Sequence, residues 1–375
     1  RLVSDWSSDV CSSDLSGLGA MGCLLLRKPK AAALMGGFSA GLCLTAGTKA
    51  FEWADKSVFI TGGSRGLGLA LAKQLVAHGA KVTLAARKFD ELARAREILL
   101  NEYPAAEVCT VICDVTKKNE LAIAMKEAIS AFGVLDVIVN NAGSISVGPL
   151  DSMTRVDFEA QMKLHLYAAV ESTDIIRPYF KRRGGGRIIN ICSLGGKSAV
   201  PHMLPYNASK FALAGYSQGA GIELSQENIT VTTVYPTLMQ TGSPIQAVFK
   251  GDHEKEFAWF DFADNLPLLS MRPETAAKKI LRAASLGDAE LVLSPVGKLR
   301  VLGGALFPEL VNAVMVFIGS LMPKGQSGVR QTGYQSRGHF ENSLLTKPMK
   351  HRARQAELKN NQYPSEDAEF NLGLH

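Results

Sequence analysis

Apolar residues arrive along this chain in short solid runs, separated by longer stretches of helical spacing. The runs at Ser57–Thr61, Lys81–Ala86, Glu107–Cys113, Val137–Val139, Arg187–Cys192 and Thr230–Tyr235 are rich in Val and Ile, the pattern of strands buried on both faces. Helices are predicted after Gly68 to about His78, and over Glu91–Leu100, Lys118–Phe132, Arg155–Lys181 and Leu204–Ser225. Strict alternation of this kind predicts an α/β fold, a doubly wound parallel sheet of Rossmann type, with a helical C-terminal extension. Ligands of such sheets bind beyond the carboxyl ends of the strands. Gly62, Asp114, Asn141, Ser193 and Pro236 all fall there.

The ends of the chain break the pattern. Asp5-Trp-Ser-Ser-Asp-Val-Cys-Ser-Ser-Asp-Leu15 resembles a translated sequencing-adapter oligonucleotide, so residues 1–20 are read as a scar. Residues 21–55 carry Arg27-Lys-Pro-Lys30 ahead of an Ala/Gly-rich apolar run, Ala31–Gly47. That run is a little short for a spanning helix, and a membrane anchor, a signal sequence and an amphipathic lead-in remain open. Residues 56–294 form the expected catalytic domain. Residues 295–324 are apolar and Gly-interrupted, either a helical cap on the substrate side or a membrane-facing patch. Residues 325–375 are polar with little periodicity and are expected to be largely disordered.

Composition adds bounds. With 375 residues, 46% hydrophobic and 20% charged, the chain can bury one large domain. Its net charge of +6 is scattered, and no nucleic-acid partner is expected. The six cysteines lack paired spacing, so neither a disulfide framework nor a metal site is expected. A cytoplasmic location, with membrane association as an addition, is the expectation.

Chemistry enters at Gly62-Gly-Ser-Arg-Gly-Leu-Gly68. A glycine turn between strand and helix lets the backbone approach a pyrophosphate, which the helix N-terminus also attracts. The next strand ends in Ala85-Ala-Arg87, without the acid that would bind a 2′-hydroxyl. Arg87, with Arg65 in the turn, suits a 2′-phosphate, so NADP is expected in preference to NAD. Further along, Tyr206 and Lys210 stand four residues apart on one helix face. A fixed ammonium favours a phenolate, and Ser193 can share a hydrogen bond to the same substrate oxygen. This suits reduction of a ketone or oxidation of an alcohol.

Thr61-Gly-x-x-x-Gly-x-Gly68, Asn140-Asn-Ala-Gly143, Ser193 and Tyr206-x-x-x-Lys210, in this order, resemble the short-chain dehydrogenase/reductase family from about Lys56 to Leu293. The resemblance implies NAD(P)-dependent hydride transfer, with Ser193, Tyr206 and Lys210 catalytic. It implies cofactor contacts from Gly62, Ser64, Arg65, Gly66, Leu67, Gly68, Arg87, Asp114, Val115, Asn141, Ala142, Gly143, Tyr206, Lys210, Pro236, Met239 and Thr241. A homodimer or homotetramer is implied as well. Two departures stand out. His165 occupies the place of a family Asn that anchors a water in the proton relay. Thr237 replaces a glycine, and its Cβ would resist a positive φ.

Phe249, Phe257, Trp259, Phe260 and Phe262, within residues 242–270, fit a loop-borne lid over an apolar, lipid-like ketone or alcohol. Two other classes compete with an enzyme: a sensor that binds NADP without turnover, and a scaffold at a membrane surface.

Overall fold

The computed structural model describes residues 50–266, 270–337 and 347–363, with 347–350 as backbone alone. Residues 1–20, expected to be a scar, and nearly all of the expected lead-in at 21–55 lie outside the described residues.

Seven parallel strands form one sheet: β1 (Ser57–Thr61), β2 (Lys81–Ala86), β3 (Val108–Ile112), β4 (Val137–Asn140), β6 (Gly186–Ile191), β7 (Ile229–Tyr235) and β9 (Glu290–Val292). Their order is β3-β2-β1-β4-β6-β7-β9, and every pairing in it is parallel. The short β5 (Ser146–Val147), β8 (Val248–Phe249) and β10 (Gln331–Thr332) make a separate three-stranded sheet. Order reverses at β1, whose neighbours are β2 and β4. A crevice opens there at the carboxyl end.

Side-chain alternation divides the core between the two faces. Val58, Ile60, Val137 and Val139 join one cluster, beneath α1 (Gly66–Ala77) and α8 (Pro273–Leu286). Phe59 and Ile138 point the other way, into a cluster with Leu121 of α3 (Lys118–Phe132) and with Ile176 and Phe180 of α5 (Ala168–Arg182). The parallel sheet covered on both faces is thus the predicted one. α2 (Phe89–Glu102) joins β2 to β3.

The long helix expected over Arg155–Lys181 is interrupted. α4 (Arg155–Met162) passes into a π-helical turn at Lys163–Tyr167, then into α5. The wider turn carries His165, buried against α6 (Leu204–Leu224).

Two regions differ from expectation. The aromatic stretch is no loop: α7 (His253–Asp264) follows β8, and Phe249, Phe257 and Phe260 are buried together with Val147, Met203 and Ile245. Their rings meet edge to face. Only Phe262 stands out into solvent. The polar tail is also structured where it is described. β10 is followed by α11 (Gly333–Ser336), and α12 (Lys347–Lys359) leads into buried Asn360, Asn361, Gln362 and Tyr363. Its hold is polar. Glu357 is buried and takes a bidentate pair from Arg337 at 2.7 Å, with a bond from the Tyr363 hydroxyl at 2.8 Å. A hydropathy pattern cannot register such an anchor.

The apolar stretch forms α9 (Pro295–Leu306) and α10 (Pro308–Ser320), bent by 119°. Among the described residues no single helix is long and apolar enough to cross a membrane, and this bent pair passes that test only jointly.

Candidate active site

The turn after β1 is built for glycine. A Cβ on Gly68 would lie 2.2 Å from the Gly62 carbonyl oxygen, and Gly62 and Gly66 both have positive φ. The amides of α1's first turn lack intrahelical partners and face outward at its N-terminus. These features fit a pyrophosphate. Asn141 supports the turn from β4: its side-chain amide donates to the Thr61 carbonyl at 2.9 Å and the Gly62 carbonyl at 3.1 Å. Thr61 Oγ1 accepts from the amides of Asn141 and Ala142. Asn141 therefore braces the cradle, and Gly143 lies against the His165 ring.

An acid that sequence reasoning missed sits beside the turn. Glu91, in the first turn of α2, is buried and accepts from Ser64 Oγ and Arg65 Nη1, and pairs with Lys88. Arg65 is thus engaged, while Arg87 is exposed at the end of β2. Asp114, past β3, accepts from the amide and hydroxyl of Thr116 at 3.0 and 2.8 Å, and Val115 is buried beside it.

Ser193, Tyr206, Lys210 and His165 come together. Ser193 follows β6, its hydroxyl accepts from the Gly195 amide at 3.0 Å, and it lies beside the Tyr206 phenol. Lys210 is buried, donates to the Ile191 carbonyl at 3.0 Å and lies 5.7 Å from the Tyr206 ring centre. Burial pushes the Lys210 ammonium down to about 8. It pushes the Tyr206 phenol up, to about 12, against the pull of the Ser193 hydrogen bond. The acidic phenol expected from a neighbouring ammonium is not what the structure gives: desolvation sets the direction of the Tyr206 shift, and Lys210 does not counter it.

His165 Nε2 accepts from the Ser144 amide at 3.3 Å, and its Nδ1 lies 2.7 Å from Ser209 Oγ. Ser209 in turn donates to the Tyr206 carbonyl, so Nδ1 carries the proton. A small cavity lined by Thr61, Asn140, His165 and Lys210 separates the imidazole from the lysine. Behind it runs a polar chain that pattern reading did not reveal. Ser172 donates to Asn140, Asn140 to Asn190, and Asn190 to Ser217, which meets Thr233.

The loop after β7 closes the site. Thr237 keeps a negative φ, so its Cβ causes no backbone strain. Leu194 N donates to the Pro236 carbonyl at 2.8 Å, and Met239 N donates to Asp264 Oδ1 at 3.2 Å. Thr241 is buried, with its hydroxyl accepting from the Ser243 amide.

Known proteins share this arrangement. The short chain dehydrogenase family matches residues 56–248. A "Dehydrogenase/reductase SDR family protein 7-like" of Anopheles gambiae is 31% identical over 245 residues, 64% of this chain and 75% of that protein. A fatty acyl-CoA reductase of Acinetobacter baylyi is 29% identical, over 73% of this chain and 88% of its own. Among solved structures, a short-chain dehydrogenase from Streptomyces avermitilis superposes with a TM-score of 0.60 at 26% identity, covering 71% of this chain and 98% of that one. L-Sorbose reductase from Gluconobacter frateurii, complexed with NADPH and L-sorbose, gives 0.56 at 25% identity, over 64% and 95%. With a glycine cradle, a Ser–Tyr–Lys cluster at the carboxyl ends of parallel strands, and a family match over half its length, this chain belongs to the short-chain dehydrogenases, a family of nicotinamide-dependent oxidoreductases.

Proposed function

We propose that this oxidoreductase exchanges a hydride between NADP(H) and a hydrophobic, lipid-like ketone or secondary alcohol, with Tyr206 as general acid/base. The observation that carries the reading is the gathering of Ser193, Tyr206 and Lys210 at one place, with Lys210 Nζ 5.7 Å from the Tyr206 ring centre. A bound nicotinamide would supply or accept the hydride. Ser193 donates to the carbonyl oxygen and polarises it. Tyr206 Oη hands its proton to that oxygen as the alcohol forms. Lys210 holds positive charge beside the phenolate left behind. At neutral pH the phenol is protonated, the state that donates a proton in the reductive half of the exchange. Gly62, Gly66, Leu67 and Gly68 would hold the pyrophosphate. Ser64, Asp114, Val115, Asn141, Ala142, Gly143, Pro236, Met239 and Thr241 would line the rest.

NADP is favoured by charge. Arg65, Arg87 and Lys88 set three cations near the end of β2 against the carboxylates of Glu91 and Asp114. An apolar substrate is favoured by the cluster of Val147, Met203, Phe257 and Phe260, against which Tyr206 and Trp259 pack. Oxidation of NADPH with apolar ketones, run in parallel with NADH, tests both. Tyr206→Phe should lower turnover by about a hundredfold or more. Unchanged turnover in that variant removes Tyr206 from the chemistry, and a preference for NADH removes the charge argument.

A membrane surface as a further partner is favoured by α9 and α10. Leu299, Leu302, Leu306, Phe307, Leu310, Val316 and Phe317 are all exposed on the bent pair. Arg300, bonded to Ser198 and the Ala199 carbonyl, ties α9 to the chain just before Tyr206, so an apolar substrate could reach the site from that side. Flotation of the full chain with neutral vesicles, lost in Phe307→Asp, is the check. Assembly as a homodimer or homotetramer is favoured by exposed Phe211 and Ile222 on α6, and light scattering reads it directly.

A further inference from the structure

The segment Asn360–Tyr363 lies on the glycine cradle. The main-chain carbonyl of Asn360 accepts from the Gly66 amide at 2.9 Å, at the first residue of α1. That amide is among those a pyrophosphate oxygen would use, and a carbonyl is the neutral group that most resembles such an oxygen. The next residue, Asn361, donates its side-chain amide to the Ser64 carbonyl at 2.8 Å and the Glu91 carbonyl at 3.0 Å. Gln362 donates to the Thr241 carbonyl at 3.0 Å, and its Nε2 lies 3.1 Å from where a Cβ on Gly66 would stand. Three consecutive residues therefore bridge the turn after β1 and the loop after β7, the two walls of the dinucleotide crevice.

We propose that this segment is an autoinhibitory cover that competes with the nicotinamide cofactor for the cradle. The proposal rests on the cofactor reading above. Two features suit a cover that comes off. Its bonds to the cradle are main-chain and amide hydrogen bonds: a phosphate oxygen can take the Gly66 amide from Asn360, and water can donate to the carbonyls that Asn361 and Gln362 leave. Its anchor is the pair of Glu357, on α12, with Arg337, outside the crevice; Arg94 of α2 also holds the segment, at Asn361 Oδ1 (3.0 Å) and the Tyr363 carbonyl (3.2 Å), so it swings away by releasing Arg94 while α12 stays on the protein. The cofactor then binds only the uncovered fraction, and its apparent Kd is the intrinsic one divided by that fraction.

The test uses the full chain. NADPH and NADH are titrated by nucleotide fluorescence into the unaltered protein and into an Asn361→Ala, Gln362→Gly double variant. Weakening the cover should tighten binding by at least about fivefold, corresponding to an uncovered fraction of about one-fifth in the unaltered chain. Equal or weaker binding by the variant overturns the proposal, because the segment would then be neutral or part of the cofactor site. Hydrogen exchange on the unaltered chain decides independently of any variant that folds badly. Saturating NADPH should speed exchange of the amides at 360–363, whereas slowed exchange there means that the segment closes over the cofactor and overturns competition. Should neither protein bind either nucleotide, the cofactor reading itself fails, an outcome distinct from equal binding by both.

Discussion

The imidazole of His165 stands edge-on to the ring of Tyr206, centroids 5.4 Å apart and planes at 90°. Both ring nitrogens are occupied, one accepting from Ser144 and one donating to Ser209. A second proton would set Nε2–H against the Ser144 amide, donor to donor. Burial first, then the Lys210 charge, hold this histidine well below its ordinary value.

This gives a pH dependence of stability. The unfolded chain binds a proton at His165 as pH falls through about 6.5, and the folded chain does not. Stability should therefore fall as pH drops below that point, at up to about 1.4 kcal/mol per pH unit from this group. Urea midpoints measured between pH 7 and 5 should show a smaller slope for His165→Gln than for the unaltered chain.

Lys210 acts with the same sign in a higher pH window. Its folded value near 8 lies below the ordinary 10.5 for lysine. Between those values the folded chain has released a proton that the unfolded chain keeps, so stability gains with rising pH in that interval. Reductase turnover should fall above about pH 8 as the ammonium beside Tyr206 is lost. In Lys210→Met the stability gain should vanish from the urea midpoints, and turnover should be low throughout.

Gly68→Ala should be costly. The added methyl meets the Gly62 carbonyl oxygen at 2.2 Å, and that backbone is held by Asn141. A loss of about 2–3 kcal/mol is expected. Denaturant midpoints measure it, and a loss below about 0.5 kcal/mol would mean that the turn yields.

Lys250 and Asp157 form a buried pair at 2.7 Å, which ties β8 to the start of α4. Lys250→Met strands the Asp157 carboxylate. The expected cost is about 3 kcal/mol, at the low end for buried pairs because Arg330 still reaches Asp157 at 3.2 Å. Calorimetry should show the loss, with partial recovery in the double variant Lys250→Met, Asp157→Leu.

The elements legible in the sequence were those set by local pattern. Val58-Phe-Ile60 and Val137-Ile-Val139 announce strands buried on both faces, and Gly62–Gly68 announces the turn from the first of them into a helix. Tyr206 and Lys210 lie on one helix, so their proximity follows from spacing alone. What escaped was fixed by tertiary contact. Glu91 reaches Ser64 and Arg65 from the next helix, and no pattern links those positions. The aromatic residues near 257 have the composition of a lid, yet Val147 and Met203, distant in sequence, bury them. The tail has too few apolar residues to signal order, because Glu357, Asn360 and Asn361 fasten it by hydrogen bonds instead.

Asn361 and Ser64 touch although 297 positions separate them. Translation delivers Ser64 of the glycine turn 297 residues ahead of Asn361, which covers it. A dinucleotide present while the ribosome is still working would find the crevice bare, whereas one added to finished protein must first dislodge the segment. Protein translated in vitro with dinucleotide present should therefore load sooner than finished protein given the same dinucleotide afterwards.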